Sequence, residues 1–120
     1  MDAVAHPVVY TPGDNEWTDC HEARPGGCEP LDRLQTLRRV FFDAPSQSLG
    51  GQPMTVQSQS SDTAFAEFVE NQRWSFGGFE FATIHIVGSE GLAAVPGQPP
   101  RYAAEWKRRC LLYTSDAADE

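Results

Sequence analysis

Apolar residues recur at helical spacing over one long segment of the chain. Four of them follow one another at intervals of three or four residues: Leu31, Leu34, Leu37 and Phe41. This spacing places them on one face of a helix. Pro30 suits the first helical position, because a proline has no backbone N–H that would need a partner there. The pattern therefore predicts a helix over residues 30–43.

Apolar residues alternate in the segment "RWSFGGFEFATIHIVGS", residues 73–89, and predict a β-hairpin with Gly77-Gly78 as its turn. Successive side chains of a strand point to opposite faces. One face of the second strand carries Phe79, Phe81, Thr83, His85 and Val87. The other carries Glu80, Ala82, Ile84 and Ile86. Both faces are largely apolar, so we expect a strand that is covered on both sides within a layered sheet.

Shorter patterns complete the predicted architecture. Residues 8–11 form an apolar run typical of a short buried strand, and residues 54–60 alternate like an edge strand. Residues 63–71 predict a helical turn, and residues 101–109 the start of a second helix. Together with the helix and the hairpin, these elements predict an α/β fold made of a partial sheet with flanking helices.

A loop rich in turn-forming residues follows the first predicted strand. It contains "PGDNEWTDC", in which Gly13, Asp14 and Asn15 are favoured turn formers. Cys20 and Cys28 flank the stretch "HEARPGG" further along the loop. In an exported protein these cysteines would close a small disulfide loop, whereas in a cytosolic protein they would be free thiols. Both alternatives agree with the residues.

Composition limits the class of partner. The 120 residues allow at most one modest domain, and their net charge of −8 argues against a stable nucleic-acid partner, because no basic surface would release counterions. The chain has no run of 18 apolar residues, so we predict no membrane span. The N-terminus lacks the basic and apolar regions of a signal peptide. The sequence predicts neither a compartment nor an oligomeric state.

The last eleven residues, "CLLYTSDAADE", resemble the translation of the transposon adapter used in Nextera-type sequencing libraries at all eleven positions. This resemblance implies that residues 1–109 are a partial domain and that residues 110–120 are an adapter-derived tail. Without the three acids of that tail, the net charge changes from −8 to −5. We accordingly expect the natural protein to continue beyond Arg109.

Five blocks of the sequence, taken in order along the chain, resemble the bacterial calcineurin-like metallophosphoesterases, specifically the branch with the segment "TPGDNEWTDC". That segment is the first block. The other blocks are "PLDRLQTLRRVFF", "SLGGQPMTVQSQ", "ENQRW" and "FEFATIHIVGS". The resemblance covers roughly Pro7 to Arg109. It implies an incomplete layered calcineurin-like phosphoesterase sandwich. The parent protein would hydrolyse a phosphate ester through a dinuclear centre of divalent cations (Mn, Fe, Zn or Mg).

The resemblance also implies roles for residues of the loop. Family members have a Gly-Asn-His-Glu segment where this chain has Gly13-Asp14-Asn15-Glu16. Asp14 falls at the position of a metal ligand, and Asn15 falls at the position of the catalytic histidine. An amide cannot act as a general acid near neutral pH, so a proton donor would have to come from elsewhere, and His21 is our candidate. The other metal-binding segments would lie outside residues 1–109, so we expect this fragment to be inactive.

An alternative of another class keeps the fold without the metal chemistry. It is a non-catalytic extracytoplasmic binding module, in which a Cys20–Cys28 bridge would stiffen the loop. Asn15 in place of the catalytic histidine is the feature that favours it. Family relatives are often exported, which would make the parent periplasmic or secreted, but this sequence itself predicts no compartment. The sequence identifies neither the phosphoester substrate nor the metal.

The remaining polar and aromatic candidates have a structural interpretation beside a functional one. We expect Trp17 and Trp74 to be packing residues rather than substrate platforms. His85 lies on an apolar strand face, where a hydrogen-bonded structural histidine is expected. The polar residues of "ENQRW" could serve recognition, but surface or hairpin-bracing roles are preferred: Glu70, Asn71 and Arg73.

Overall fold

The structure is a computed structural model that describes residues 3–21, 27–88 and 92–118, with only the backbone described for His21 and residues 111–118. In this part of the chain two α-helices accompany a small antiparallel sheet. The helices are α1 (Pro30–Phe41) and α2 (Pro100–Ala118). The strands are β1 (Gln57–Ser58), β2 (Gln72–Phe76) and β3 (Phe79–Ala82), in the order β1-β2-β3. This mixture of helix and sheet agrees with the general α/β class predicted from the sequence.

Helix α1 begins where the sequence predicts. Glu29 is its N-cap, and its side-chain Oε2 accepts a hydrogen bond of 2.7 Å from the backbone N–H of Asp32. Pro30 occupies the first turn. The helix ends at Phe41, two residues earlier than predicted, where the N–H of Phe42 still reaches the carbonyl of Arg38 at 3.0 Å. The capping residue and the apolar face thus define this element locally.

The β-hairpin prediction is confirmed. Strands β2 and β3 pair in antiparallel register, and Phe76 faces Phe79 next to the turn. Gly77 and Gly78 both have positive φ angles, 60° and 82°, as a two-residue type I′ turn requires. The ring of Trp74 stacks on that of Phe81 across the strands, with 5.6 Å between the centroids. The residues of the turn and the packing across the strands therefore both favour the hairpin.

The prediction that the second hairpin strand is covered on both faces is wrong for the described chain. Ile84 and Ile86 on one face are 55% and 59% exposed; on the other face His85 and Val87 are buried, but Phe79 and Phe81 are 70% and 43% exposed. The hydrophobic core includes Val87 and lies on only one side of this segment. The outer face therefore remains accessible.

Three of the shorter elements are reduced relative to their predictions, whereas the helix predicted to start at residues 101–109 is present as α2. The predicted strand at residues 8–11 amounts to an isolated bridge, in which Val8 and Leu49 exchange two backbone hydrogen bonds of 2.8 Å. The predicted edge strand is confirmed at the edge of the sheet but contains only two residues, those of β1. The helical turn predicted at residues 63–71 is a single 3-10 turn, Thr63–Phe65. None of the helices in the described ranges is long and apolar enough to cross a membrane.

Gly50 lies where its backbone closely approaches that of His6. Its φ angle is 96°, and a Cβ built on it would lie 2.1 Å from the carbonyl oxygen of His6. We expect Gly50→Ala to lower the free energy of unfolding by about 3 kcal/mol, because it combines a left-handed backbone with overpacking. Urea unfolding followed by circular dichroism measures this loss.

Gly77→Ala is the matched control for that substitution. Gly77 also has a positive φ angle, but nothing lies within 4 Å of a Cβ built there. Replacing Gly77 by Ala should therefore lower the free energy of unfolding only by the cost of a left-handed backbone at a residue with a Cβ, about 1–2 kcal/mol. Equal losses in the two variants would contradict the close approach to His6.

Candidate functional site

The loop that contains the Gly13-Asp14-Asn15-Glu16 segment is organised around one backbone carbonyl. The carbonyl oxygen of Asp14 accepts hydrogen bonds from the N–H groups of Trp17 and Asp19, at 3.1 and 3.2 Å. It also accepts a bond of 3.0 Å from the hydroxyl of Thr18. A short 3-10 helix, Thr18–His21, follows directly. The turn predicted from the sequence is confirmed, and its backbone is held by three donors.

The side chains of this loop divide into an exposed and a buried set. Asp14, Asn15 and Glu16 are exposed, whereas Trp17 is fully buried. The Glu16 carboxylate accepts the Gly13 N–H at 2.8 Å, and Oδ1 of Asp14 accepts the Asn15 N–H at 2.9 Å. The loop therefore presents two carboxylates and an amide to solvent from a well-defined backbone.

Trp17 anchors the loop in the core, as expected of a packing residue. Its ring belongs to the same buried cluster as Leu34 of α1 and Val87. Its indole Nε1–H donates a hydrogen bond of 3.0 Å to Nε2 of His85, which is also fully buried. The expectation of a hydrogen-bonded structural histidine at position 85 is confirmed.

Behind His85 lies a buried ion cluster, which we define by its members Arg38, Glu70, His85, Glu105 and Arg109. Arg38 of α1 binds Glu70 through two hydrogen bonds, Nε to Oε2 at 3.0 Å and Nη2 to Oε1 at 2.8 Å. Arg109 of α2 approaches Glu70 Oε1 at 3.4 Å and also binds Glu105. The Arg38–Glu70 pair is bidentate, and such a pair combines opposite charge with a fixed geometry. The cluster thus joins both helices to the segment that precedes β2.

The hydrogen bond from Trp17 assigns a role to one nitrogen of the His85 ring. The indole nitrogen of Trp17 can only donate, so Nε2 of His85 must accept and carries no proton. Nδ1 lies 3.0 Å from Glu70 Oε1 and 3.1 Å from Nη1 of Arg109. A neutral ring whose Nε2 accepts carries its proton on Nδ1, so Nδ1 donates to Glu70, and Arg109 is a close neighbour of Nδ1 and not its donor. Arg109 donates to the backbone carbonyl of His85 at 2.9 Å. His85 therefore links the loop anchor directly to the carboxylate of the buried ion cluster.

Glu70 remains ionised despite its complete burial. Burial is the largest influence and raises the pKa of Glu70. The hydrogen bonds from His85 and Arg38 and the positive charges of Arg38 and Arg109 together outweigh it. They hold the pKa of this carboxyl far below its ordinary value of 4.5. The cluster is thus a charged one and not a set of neutral polar groups.

The pattern of residues along the chain does not predict this cluster. Among the alternatives for "ENQRW", the surface role is wrong for Glu70 and Asn71, which are 0% and 6% exposed, while the hairpin-bracing role agrees with their contacts. Asn71 Oδ1 accepts the backbone N–H of His85 at 2.9 Å. Arg73 is exposed and donates to the Gln57 side chain at 2.7 Å, which is a bracing contact between β2 and β1. The apolar stretch "FAEFVE" contains two glutamates, and because Glu67 is 39% exposed the pattern does not distinguish the buried Glu70 from its exposed neighbour.

Of the two alternatives for the cysteines, the structure contains the disulfide. Cys20 and Cys28 are bonded, with their Cα atoms 5.2 Å apart, and the N–H of Cys28 donates to the carbonyl of Cys20 at 2.8 Å. The bridge closes the loop immediately after the 3-10 helix. Residues 22–26 and the side chain of His21 lie outside the described part, so the proton-donor role stays a prediction.

The donor set of the loop can be compared with what a metal centre needs. Asp14 supplies an exposed carboxylate, the oxygen ligand that Mg²⁺ and Mn²⁺ favour. Within residues 3–20, 27–88 and 92–110, no group of three or more His, Cys, Asp or Glu side chains is arranged to hold a metal ion. The described residues therefore fit one ligand position and do not form a complete dinuclear centre.

Comparison of the chain with protein-family models, with curated proteins and with solved structures found no match. The family resemblance therefore rests on the residues themselves.

Proposed function

We propose that this chain is part of a calcineurin-like metallophosphoesterase, whose parent protein hydrolyses a phosphate ester with two divalent cations. The ordered resemblance of five sequence blocks supports the family and its layered sandwich fold. The observation that carries the proposal is the exposure of Asp14 on a loop whose backbone is fixed by three hydrogen bonds to one carbonyl. A ligand that is held in place before the metal arrives binds with a smaller entropic cost.

In this proposal each loop residue has a limited task. Two cations about 3.5–4 Å apart would polarise the phosphoryl group and supply a hydroxide. Asp14 would be one carboxylate ligand. Asn15 would donate a hydrogen bond from its amide to a phosphate oxygen, but it could not deliver a proton to the leaving group. His21 remains the candidate for that proton, and the other ligands would come from further segments of the parent.

The non-catalytic extracytoplasmic binding module is a second candidate, and one observation favours it. The loop is closed by the Cys20–Cys28 disulfide and by its own hydrogen bonds, so its conformation does not depend on a bound cation. A module of this kind would bind through the exposed loop and show no preference for cations at Asp14. Titration with Mn²⁺ therefore separates the two candidates.

We expect substoichiometric Mn²⁺ to broaden the backbone amide resonances of residues 13–17 before those of other acidic segments. The reason is that the fixed loop offers the Asp14 carboxylate with one neighbouring acid, Glu16, on the same turn. Two-dimensional ¹H–¹⁵N spectra of the isotopically labelled 120-residue chain measure the effect. Asp14→Asn should remove the selective broadening.

Asp62→Asn is the control for that titration. Asp62 is also exposed, and its Oδ1 accepts the N–H of Ala64 at 2.9 Å, so it resembles Asp14 in local geometry. This substitution should leave the broadening of residues 13–17 unchanged. Equal broadening around Asp14 and Asp62 in the unsubstituted chain would contradict the proposal and favour the binding module.

A further inference from the structure

We propose that His85, held by Glu70, is a positioning residue for the loop that carries Asp14. No residue of the buried ion cluster is close to Asp14 in sequence, and the connection runs through Trp17. Trp17 lies three residues after Asp14, and its N–H donates to the Asp14 carbonyl at 3.1 Å. Its indole Nε1–H donates to His85 at 3.0 Å. The position of the Asp14 backbone is thereby coupled to the orientation of one buried imidazole.

The geometry explains why this histidine has a fixed orientation. One ring nitrogen donates to Glu70, and the other accepts from Trp17, so rotation of the ring would break both hydrogen bonds at once. The backbone N–H of His85 is also bound, by the Asn71 side chain at 2.9 Å. Glu70 in turn is held by Arg38. Every step from helix α1 to the loop is therefore a directed hydrogen bond.

A second contact acts on the same indole. The guanidinium carbon of Arg109 lies 5.8 Å from the centre of the Trp17 ring and 5.1 Å from that of Phe68, within the range of cation–π attraction. Arg109 also donates to the carbonyl of His85 at 2.9 Å. Hydrophobic packing alone would bury Trp17 but would allow its ring to tilt. The polar contacts on its nitrogen and its face set the direction in which the loop leaves the core.

The positioning role itself depends only on the described contacts. Its effect on cation binding rests on the proposed function, in which Asp14 is a metal ligand. The positioning role and the effect on cation binding can be refuted separately, because the order of the loop can be measured without any metal. A chain in which His85 orders the loop but Mn²⁺ shows no preference for Asp14 would overturn the proposed function and leave the positioning role intact.

The test compares His85→Asn with His85→Gln by hydrogen exchange in the labelled 120-residue chain. An asparagine amide can replace the nitrogen that faces Glu70, whereas a glutamine amide reaches the position of the nitrogen that accepts from Trp17. We expect His85→Asn to speed exchange of the Trp17 indole N–H and of the Trp17 and Asp19 amides at least tenfold. His85→Gln should restore most of this protection. His6→Asn, at an exposed histidine, should change nothing.

The amide of Leu34 in α1 separates positioning from general destabilisation. If exchange at Leu34 rises by the same factor as in the loop, His85 acts only on global stability and the proposal is overturned. Unchanged exchange of the Trp17 indole in His85→Asn would overturn it as well.

One measurement on the unsubstituted chain keeps the proposal testable even if His85→Asn does not fold. The ¹⁵N shifts of the imidazole ring should show a protonated Nδ1 and an unprotonated Nε2. A proton on Nε2 would rule out the hydrogen bond from Trp17 and with it the coupling to the loop.

Discussion

Replacement of Glu70 by Gln should lower the free energy of unfolding by about 3–5 kcal/mol, because it leaves the buried guanidinium of Arg38 without a counter-charge and that of Arg109 with Glu105 alone. The side chains of Glu70 and Arg109 are fully buried and that of Arg38 nearly so, at 8% exposure. Glutamine has almost the same shape as glutamate, so loss of packing does not account for the effect. Urea unfolding at neutral pH, followed by circular dichroism, measures it.

Glu67→Gln is the matched control. Glu67 also forms an ion pair with an arginine, Arg108, but their side chains are 39% and 45% exposed. An exposed pair of this kind contributes about 0–1 kcal/mol. Similar losses for Glu70→Gln and Glu67→Gln would show that burial of the cluster does not matter to stability.

The stabilisation that Glu70 provides should depend on pH. Folding lowers the pKa of Glu70 below its ordinary value, through its hydrogen bonds and the charges of Arg38 and Arg109, against the opposing effect of burial. The resulting stabilisation is present in full above the pKa of the unfolded carboxyl. It is lost as the pH falls from there towards the lower pKa of the folded state. The difference in stability between the unsubstituted chain and Glu70→Gln should therefore shrink below about pH 4. A constant difference from pH 7 to pH 3 would contradict this.

Trp17→Ala should also cost about 3–5 kcal/mol, since it opens a cavity beside Leu34 and Val87. It removes the donor to His85 Nε2 as well, which leaves a buried acceptor unsatisfied. Thermal unfolding and urea unfolding of the variant measure the loss. The backbone amide of Asp19 should exchange faster in the variant, because without the Trp17 anchor only the turn at Asp14 would protect it.

Trp74→Ala provides the comparison for Trp17→Ala. Trp74 lies in β2, is half-buried and stacks on Phe81 of the exposed hairpin. Because an aromatic pair contributes about 0.5–1.5 kcal/mol beyond its buried area, this substitution should cost clearly less than Trp17→Ala. Equal costs would indicate that Trp17 does not occupy a special position in the core.

The elements that the sequence predicts correctly are those that obey local rules. Helix α1 follows from the spacing of Leu31, Leu34 and Leu37, and the hairpin follows from Gly77-Gly78 between apolar strands. The turn at Asp14 likewise depends on neighbouring residues. Each of these features is defined by residues that are near one another in the sequence.

The buried ion cluster depends instead on contacts between distant residues. Glu70 is 32 positions from Arg38 and 39 from Arg109, and each of these residues would be expected at the surface when considered alone. The anchoring of Trp17 by His85 spans 68 positions. Such pairings depend on how the elements pack, which the apolar pattern does not specify. For the same reason it did not reveal that Ile84 and Ile86 face solvent.

The balance of charge inside the buried ion cluster has a consequence for the electric field around the loop. Two arginines and two glutamates cancel, so the interior contributes little potential at a distance, and the acids near the surface dominate: Asp14, Glu16 and Asp19. Their attraction for cations is screened over about 8 Å at physiological ionic strength, whereas buried pairs are screened much less. Added salt should therefore reduce the local enrichment of cations without loosening the loop that attracts them.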